Sequence, residues 1–293
     1  MNRASVVLLG VLIVATAGHA VDPYVVTIDL RADIAALGDE DGDVSYDATA
    51  RLVALGDVVL PALAAALAGE PAPVRTGVVD VLRQLKAPQA AALLVQATAD
   101  RDAAVRADAV MALGLTNAAA GAAAVERALG DPDASVRRAA IAACSRLCTS
   151  PQAIDTVLTA ALRDPPGNPA TIAFVTIALS PDSPRAAAAH RAVEARVVPL
   201  LAADVAAPQR LQAALLLAAL GDARAIAALR VLLGDPRLAA ARPQMAMALS
   251  TLREPAAVEA LRELAADPAL RPLVCQALAN LASQQVAGAT PCP

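Results

Sequence analysis

The stretch VRADAVMALG, Val105 to Gly114, decides the fold because it returns along the chain. VRTGVVDVLR from Val74, VRRAAIAACS from Val136, ARPQMAMALS from Ala241 and LRPLVCQALA from Leu270 align with it without gaps. All five keep an arginine in the second position: Arg75, Arg106, Arg137, Arg242 and Arg271. Looser copies read DATARLVALG from Asp47, TIAFVTIALS from Thr171 and QAALLLAALG from Gln212, the last with Arg210 one helical turn early. Arg75, Arg106 and Arg137 stand 31 residues apart, and the eight copies cover Tyr46 to about Ser283. Such self-similarity is the signature of a repeat architecture.

Within each copy the apolar positions recur every three or four residues, as in Val105, Ala109, Ala112 and Leu113, which lines them along one face of a helix. A breaker follows each copy: Gly56-Asp57, Lys86-Ala87-Pro88, Gly221-Asp222 or Glu254-Pro255. A second helix is expected next, over Pro61 to Ala68, Gln89 to Ala97, Ala223 to Leu233 and Ala256 to Ala265. Asp-Pro pairs at Asp131-Pro132, Asp164-Pro165, Asp235-Pro236 and Asp267-Pro268 punctuate entry to the next unit, since proline fits a first helical turn but not its interior. A lone helical hairpin of about 30 residues cannot cover its own apolar stripe, so the units must stack around one continuous core.

Composition agrees. Of the 293 residues 57% are hydrophobic, yet only Tyr24, Tyr46 and Phe174 are aromatic and there is no Trp. Thin aliphatic side chains suit packed helices better than sheets, and an all-β fold is excluded. Twenty-four basic against 28 acidic residues give net −4, with Lys86 the sole lysine. Without a concentration of positive charge or aromatic stacking platforms, nucleic acid is excluded as a partner.

The mean hydropathy of +0.54 raises the question of membranes. Only the N-terminus satisfies a targeting pattern: Asn2 and Arg3 as a positive head, Val6 to Ala17 as an apolar body, and Gly18-His19-Ala20 as a small-residue cleavage site. Residues 1–20 are therefore expected to be a signal peptide cut after Ala20, with a cut after Ala17 or retention as an anchor as alternatives. The mature chain is expected to be periplasmic or secreted, without an integral membrane span.

The repeats resemble the HEAT family, specifically its bacterial HEAT-like, PBS-lyase-type repeats, whose first helix typically reads Val-Arg-x-x-Ala-x-x-Ala-Leu-Gly. The resemblance covers most of the mature chain and implies an all-α fold, a right-handed α-α superhelix: a HEAT-like solenoid of about eight helical hairpins. In that family the arginine commonly meets an aspartate in a ladder between neighbouring repeats. Asp100, Asp131 and Asp204 precede Arg106, Arg137 and Arg210 by six residues each, consistent with such a ladder. A half-buried guanidinium needs a carboxylate or carbonyl partner, so these arginines read as structural. HEAT-class enzymes that bind iron use His-Glu pairs, which this chain lacks. Relatives linked to phycobilin attachment share the repeat style, but the scarcity of aromatic and histidine residues argues against a pigment pocket here.

The expected organisation is a signal peptide over 1–20, an N-terminal cap over 21–45, the solenoid over 46–284 and a tail over 285–293. In the cap, Tyr24 to Leu30 alternates and Ala32 to Leu37 reads helical, covering the apolar flank that a terminal repeat exposes. The period stretches around Pro165 to Pro169 and in a longer second helix from about Pro184 to Ala203. Such an insertion either is tolerated passively or marks a binding face. The acidic run Asp39-Glu40-Asp41-Gly42-Asp43 lacks the EF-hand order and reads as a solvated loop rather than a metal site.

Export makes the four cysteines candidates for disulfides. Cys275 in the last repeat and Cys292 in the tail would pin the tail over the final helices, a constraint of about 3 kcal/mol. Cys144 and Cys148 stand near a helix end and read either as a pair or as free buried thiols. After cleavage His190 is the one remaining histidine, which removes multi-histidine zinc sites and most nucleophile-histidine pairs. No phosphate-binding glycine loop, Gly-x-Ser-x-Gly elbow or Ser-x-x-Lys pair is present.

The sequence therefore reads as a non-catalytic scaffold with no cofactor and no metal, presenting its second helices to a protein partner. The candidate contacts are Glu126, Arg127, Arg163, Glu194, Arg230, Arg262 and Glu263, whose mixed signs suit a protein surface. A small-molecule binder or lyase-like accessory subunit using the insertion around His190, and a membrane-tethered accessory protein, are the alternatives.

Overall fold

A computed structural model of the chain describes residues 8–11, 25–85, 87–163, 169–180 and 184–290. It divides into two compact units, Met1–Ala143 and Cys144–Pro293, with the boundary inside one helix.

The N-terminal unit opens with a small hairpin. Strand β1 (Leu8–Val11) pairs antiparallel with β2 (Val25–Ile28), Leu8 opposite Ile28 and Val11 opposite Val25. Loss of residues 1–20 would remove β1 and leave β2 unpaired. Helix α1 (Leu30–Ala36) follows at once, started by the Asp29 carboxylate, which accepts the N–H groups of Arg31 and Ala32. It buries Leu30, Ile34 and the adjoining Leu37 and packs on the first repeats.

Helices α2 (Gly42–Leu55), α4 (Ala72–Leu85) and α6 (Ala103–Thr116) are first helices of successive repeats; α3 (Leu60–Gly69), α5 (Pro88–Ala97) and α7 (Ala122–Ala128) are the second helices. First helices lie beside first helices, α2 against α4 and α4 against α6, and α3 lies against α5. Helix α8 (Ala134–Leu147) begins the next repeat. By length and composition Gly42–Gly69 is long and apolar enough to cross a membrane. Here Gly56, at φ +66°, divides the stretch, and Leu52, Val59 and Leu63 are fully buried in the unit.

The C-terminal unit continues with α9 (Pro151–Arg163), α10 (Pro169–Ala178), α11 (Pro184–Ala192), α12 (Ala207–Ala219), α13 (Arg224–Leu233), α14 (Arg242–Thr251), α15 (Pro255–Leu264) and α16 (Arg271–Ser283). The side-by-side arrangement recurs, with α12, α14 and α16 in one row and α13 and α15 in the other. The expected long helix from Pro184 to Ala203 is shorter. It leaves α-geometry after Ala192 for a π-turn over Val193–Val197 and a 3-10 turn over Val198–Leu201. Pro199 explains the change: it has no N–H to donate back and its ring crowds the preceding turn.

Burial corrects the register of the three looser copies. In α6 the buried residues include Ala109, Val110, Ala112 and Leu113. The matching set in α12 is Ala213, Ala214, Leu216 and Leu217, so that copy begins at Gln209, not Gln212, and Arg210 falls in the arginine slot. In α2 the buried Ala48, Thr49 and Leu52 shift the first copy to Val44. In α10 the buried Ala170, Ala173, Phe174, Ile177 and Ala178 match Val136, Ala139, Ala140, Ala143 and Cys144 of α8, moving that copy to Ala170. Alanine-rich text repeats its letters after one helical turn, so letter matching slides where burial does not.

Thin side chains let the helices approach closely. A Cβ on Gly114 of α6 would lie 2.8 Å from the Ala143 Cα of α8, and one on Gly77 of α4 would lie 2.7 Å from the Leu37 carbonyl at the cap. Gly114→Val is expected to lose about 1–3 kcal/mol through overpacking. Gly69→Ala, where an added Cβ meets nothing within 4 Å, should change stability by no more than about 0.5 kcal/mol. Urea denaturation of the two variants checks this.

Candidate functional site

Arg75 and Arg106 build a ladder between neighbouring repeats, as the resemblance implies. Arg75 donates through Nε and Nη2 to the two carboxylate oxygens of Asp100 at 2.8 and 2.7 Å, and through Nη1 to the Glu70 carbonyl at 2.7 Å. Arg106 does the same with Asp131, both contacts 2.9 Å, and with the Asp100 carbonyl at 3.0 Å. The aspartate six residues before an arginine thus gives that arginine its backbone oxygen and gives its carboxylate to the arginine of the repeat before. Each such aspartate also closes its own turn: Asp100 accepts the Asp102 N–H and Asp131 the Asp133 N–H. Arg137 donates to the carbonyls of Asp131 and Pro132; Asp164, the next Asp-Pro aspartate, lies outside the described residues.

The C-terminal unit keeps a weaker version. Arg242 reaches Asp267 at 3.4 Å, and its Nε is buried without a hydrogen-bond partner among the described residues. Arg210 does not bond Asp204, and its Nε is likewise buried and unpartnered among the described residues. The physical reason is competition: Asp235, the acceptor that the corrected register assigns to Arg210, is taken by Arg237 through Nε at 3.0 Å and Nη2 at 2.8 Å. Asp204 has no arginine to receive because Thr171 fills the slot in α10. Arg271 makes no ion pair among the described residues.

Electrostatics follow the geometry. Burial would raise the Asp100 carboxyl, but the Arg75 hydrogen bonds, the Asp102 N–H and the Arg75 charge together hold it below its ordinary value. The Arg106 hydrogen bonds hold the Asp131 carboxyl low against burial. In α6, burial and then the neighbouring Asp80 charge push the Asp108 carboxyl up.

The candidate contact residues fall on second helices or the insertion, and at least four are committed within the chain. Glu194 is bonded by Arg224 at 2.7 and 3.0 Å. Arg230 of α13 pairs with Glu263 of α15. Arg262 holds the tail through the Gly288 carbonyl at 2.6 Å and the Thr290 hydroxyl at 3.0 Å. Arg127 and Arg163 are exposed and Glu126 is half-buried. His190 is exposed at the end of α11, one turn before Glu194. Cys144 and Cys148 are paired in the structure and fully buried, and the Cys148 N–H still donates to the Cys144 carbonyl, which keeps the last turn intact. Cys275 is disulfide-bonded, and Cys292, the partner expected for it, lies outside the described residues. Among the described residues no group of His, Cys, Asp and Glu is placed to hold a metal ion, the Asp39 to Asp43 run included.

What letter matching misses is an apolar groove of about 360 Å³ on the first-helix row of the C-terminal unit. Its walls are α12 and α14, with Leu215, Leu216, Met247 and Ala248 on them, and Thr171 of α10 and Ala161 of α9 at one end. Helix α12 touches α9 as well as α10, so the groove sits where the insertion stretches the period. No ionisable side chain lines it.

Residues 90–175 match the family model for HEAT repeats. That stretch is similar to a run of HEAT repeats. Among solved structures, Escherichia coli YibA shares the architecture over 86% of this chain and 91% of its own, at 18% identity and a TM-score of 0.55. The CpcE and CpcF complex of phycocyanin lyase from Nostoc (19% identity, 85% and 96% covered) and human deoxyhypusine hydroxylase (19%, 87% and 96%) align with TM-scores of 0.41 and 0.36. No curated protein matches the chain.

Breaking the ladder should cost most where it is most buried. Arg75→Ala strands Asp100, whose side chain is 8% exposed, and is expected to lose about 3–5 kcal/mol. Arg242→Ala, at a pair about one-third exposed, should lose about 1 kcal/mol or less. Because the Asp100 pKa is depressed, its contribution is present above the unfolded value of about 3.9 and is lost as pH falls through the folded value. The deficit of Asp100→Asn against the native chain, measured by urea titration, should therefore be full at pH 7 and shrink below about pH 4.

Proposed function

We propose that the chain is an exported, non-catalytic scaffold that binds another protein through exposed helix faces. The observation that carries this reading is the distribution of exposed apolar side chains. Met111 and Leu115 on α6, Leu179 just past α10, Ile172 on α10 and Met247 on α14 are all 38–60% exposed and belong to or adjoin first helices. Repeated helical faces that leave aliphatic groups in water are suited to burying them against a partner. The second helices spend Arg230, Glu263 and Arg262 on contacts within the chain and expose Val231 of α13, 64% in water, so the first helices of each unit carry most of the exposed aliphatic groups and are the better docking faces.

Export to the periplasm or cell exterior is supported by the N-terminal targeting pattern and by cysteines that are bonded rather than free. The groove of the C-terminal unit, open and without an ionisable side chain in its lining, supports a binding rather than a catalytic role.

Chemical crosslinking in cell-envelope fractions, read by mass spectrometry, tests the scaffold. The native chain should capture a discrete protein, and Leu115→Asp with Leu179→Asp should reduce that capture at least 10-fold while both variants melt as the native chain does; undiminished capture refutes the surface. Intact mass of the native protein should show loss of the first 20 residues, and a full-length mass would refute cleavage and favour a retained anchor.

A further inference from the structure

Four arginines in the ladder slot have an aspartate 25 residues onward: Arg75 and Asp100, Arg106 and Asp131, Arg210 and Asp235, Arg242 and Asp267. Three of these pairs meet and one does not. Arg75 and Arg106 bond both oxygens of their aspartates, and Arg242 reaches Asp267 at 3.4 Å. The Arg210 side chain makes no hydrogen bond among the described residues, although its Nε is buried. The local backbone does not explain the difference. Asp235 accepts the N–H two residues on, that of Arg237, at 2.9 Å. Asp100 accepts that of Asp102 at 2.8 Å, and Asp131 and Asp267 accept those of Asp133 and Ala269 at 2.9 Å. All four carboxylates are held by the same turn.

What differs is the side chain two residues after the aspartate. Asp102, Asp133 and Ala269 carry no side-chain donor there, and each leaves the carboxylate to the arginine of the repeat before. Arg237 brings a fork of its own and turns it back on Asp235, through Nε at 3.0 Å and Nη2 at 2.8 Å. The Arg237 side chain is 80% exposed and that of Asp235 only 13%. An ion pair so open to water is solvated and screened and contributes little, whereas a buried guanidinium N–H without an acceptor is destabilising. Hydrogen bonds from the Arg237 side chain and then from its N–H, followed by the charges of Arg237 and Arg210, hold the Asp235 carboxyl down at about 2. The group is therefore ionised at any ordinary pH and lies within the field of the buried arginine. One acid faces two forks, one outside and one inside.

We propose that Asp235 is a two-position latch: Arg237 holds it outward and keeps the Arg210 rung open, and release of Arg237 turns the carboxylate inward to close on Arg210 as Asp100 closes on Arg75. The exchange breaks the two side-chain bonds from Arg237 and forms two from Arg210, with the turn N–H bond kept and no proton moved. It is biased from the surface, because ions that compete for Arg237 weaken the outer pair while the inner one is shielded from them. The rung joins the start of α12 to the 3-10 turn Pro236–Ala241 that follows α13. Surface charge at Arg237 thus sets how firmly two adjacent repeats are tied. The device needs no protein partner and stands or falls apart from the scaffold reading.

Thermal denaturation and NMR of the arginine Nε–H resonances test the latch in the full chain. Arg237→Ala, which removes an exposed side chain together with its ion pair, should raise the melting temperature by about 2–4 °C. Arg253→Ala removes the same charge from the same unit, at an exposed position with no ion pair among the described residues, and should leave the melting temperature within about 1 °C of the native value. Arg210→Met keeps the aliphatic stem. Alone it should not lower the melting temperature, and combined with Arg237→Ala it should abolish the gain, the non-additivity expected of a shared partner. The Arg210 Nε–H signal, assigned by its loss in Arg210→Met, should exchange with water at least 10-fold more slowly in Arg237→Ala than in the native chain. In the native chain it should slow as sodium chloride is raised to about 0.5 M. A melting temperature unchanged or lowered by Arg237→Ala, an equal rise in Arg253→Ala, a gain that survives Arg210→Met, or Nε–H exchange indifferent to Arg237→Ala would each overturn the latch. Exchange indifferent to salt would overturn its control from the surface.

Discussion

The fold depends on alanine being too small to cover anything by itself. A stripe of Ala, Val and Leu on a short helix leaves much of its apolar area open, and the shortfall is made up only by a neighbouring helix at close range. Gly114 facing Ala143, and Gly77 facing Leu37, show how close that range is. Bulky aromatics would hold the helices apart, and the chain has only three of them, one of which, Phe174, is fully buried. Dense aliphatic packing supplies the drive to stack, but it is nearly indifferent to register, because one alanine looks like the next after a turn of helix.

Register comes from the polar ladder. A guanidinium fork meeting a carboxylate through two parallel hydrogen bonds accepts one geometry and few others. Each aspartate that receives an arginine also fixes its own turn, so the start of a repeat and its junction with the previous one are set by the same side chain. Where the fork is intact, the Arg75 pair is buried, the Arg106 pair is partly buried, and the repeat length is constant. Where Thr171 interrupts the ladder and Arg237 diverts Asp235, the period lengthens and the apolar groove appears.

Most of the helical pattern was legible from the chain because arginine and proline are rare enough to act as markers. The tight copies landed on α4, α6, α8, α14 and α16, and the breakers fell between helices. Three looser copies slipped by one to three residues because their markers are missing or displaced, and only burial restored them. The carboxylate partners of Arg75, Arg106 and Arg242 lie 25 residues onward, and the sequence, although it suggests a ladder between neighbouring repeats, does not assign which aspartate meets which arginine. The groove was less legible still. Its one trace in the text is Gln212 of α12 at the place that Asp108 holds in α6, an equivalence that has meaning only after the register is fixed.

The double duty of the ladder aspartates bears on how such chains change length. Since Asp131 stands to Arg106 as Asp100 stands to Arg75, excising one whole period between equivalent points would bring Arg75 to Asp131 with the same turn and the same fork. Growth or shrinkage by single modules leaves every junction chemically matched, while insertions of other sizes must open a seam. The lengthened segment ahead of α12 is such a seam, and new surface chemistry has gathered beside it.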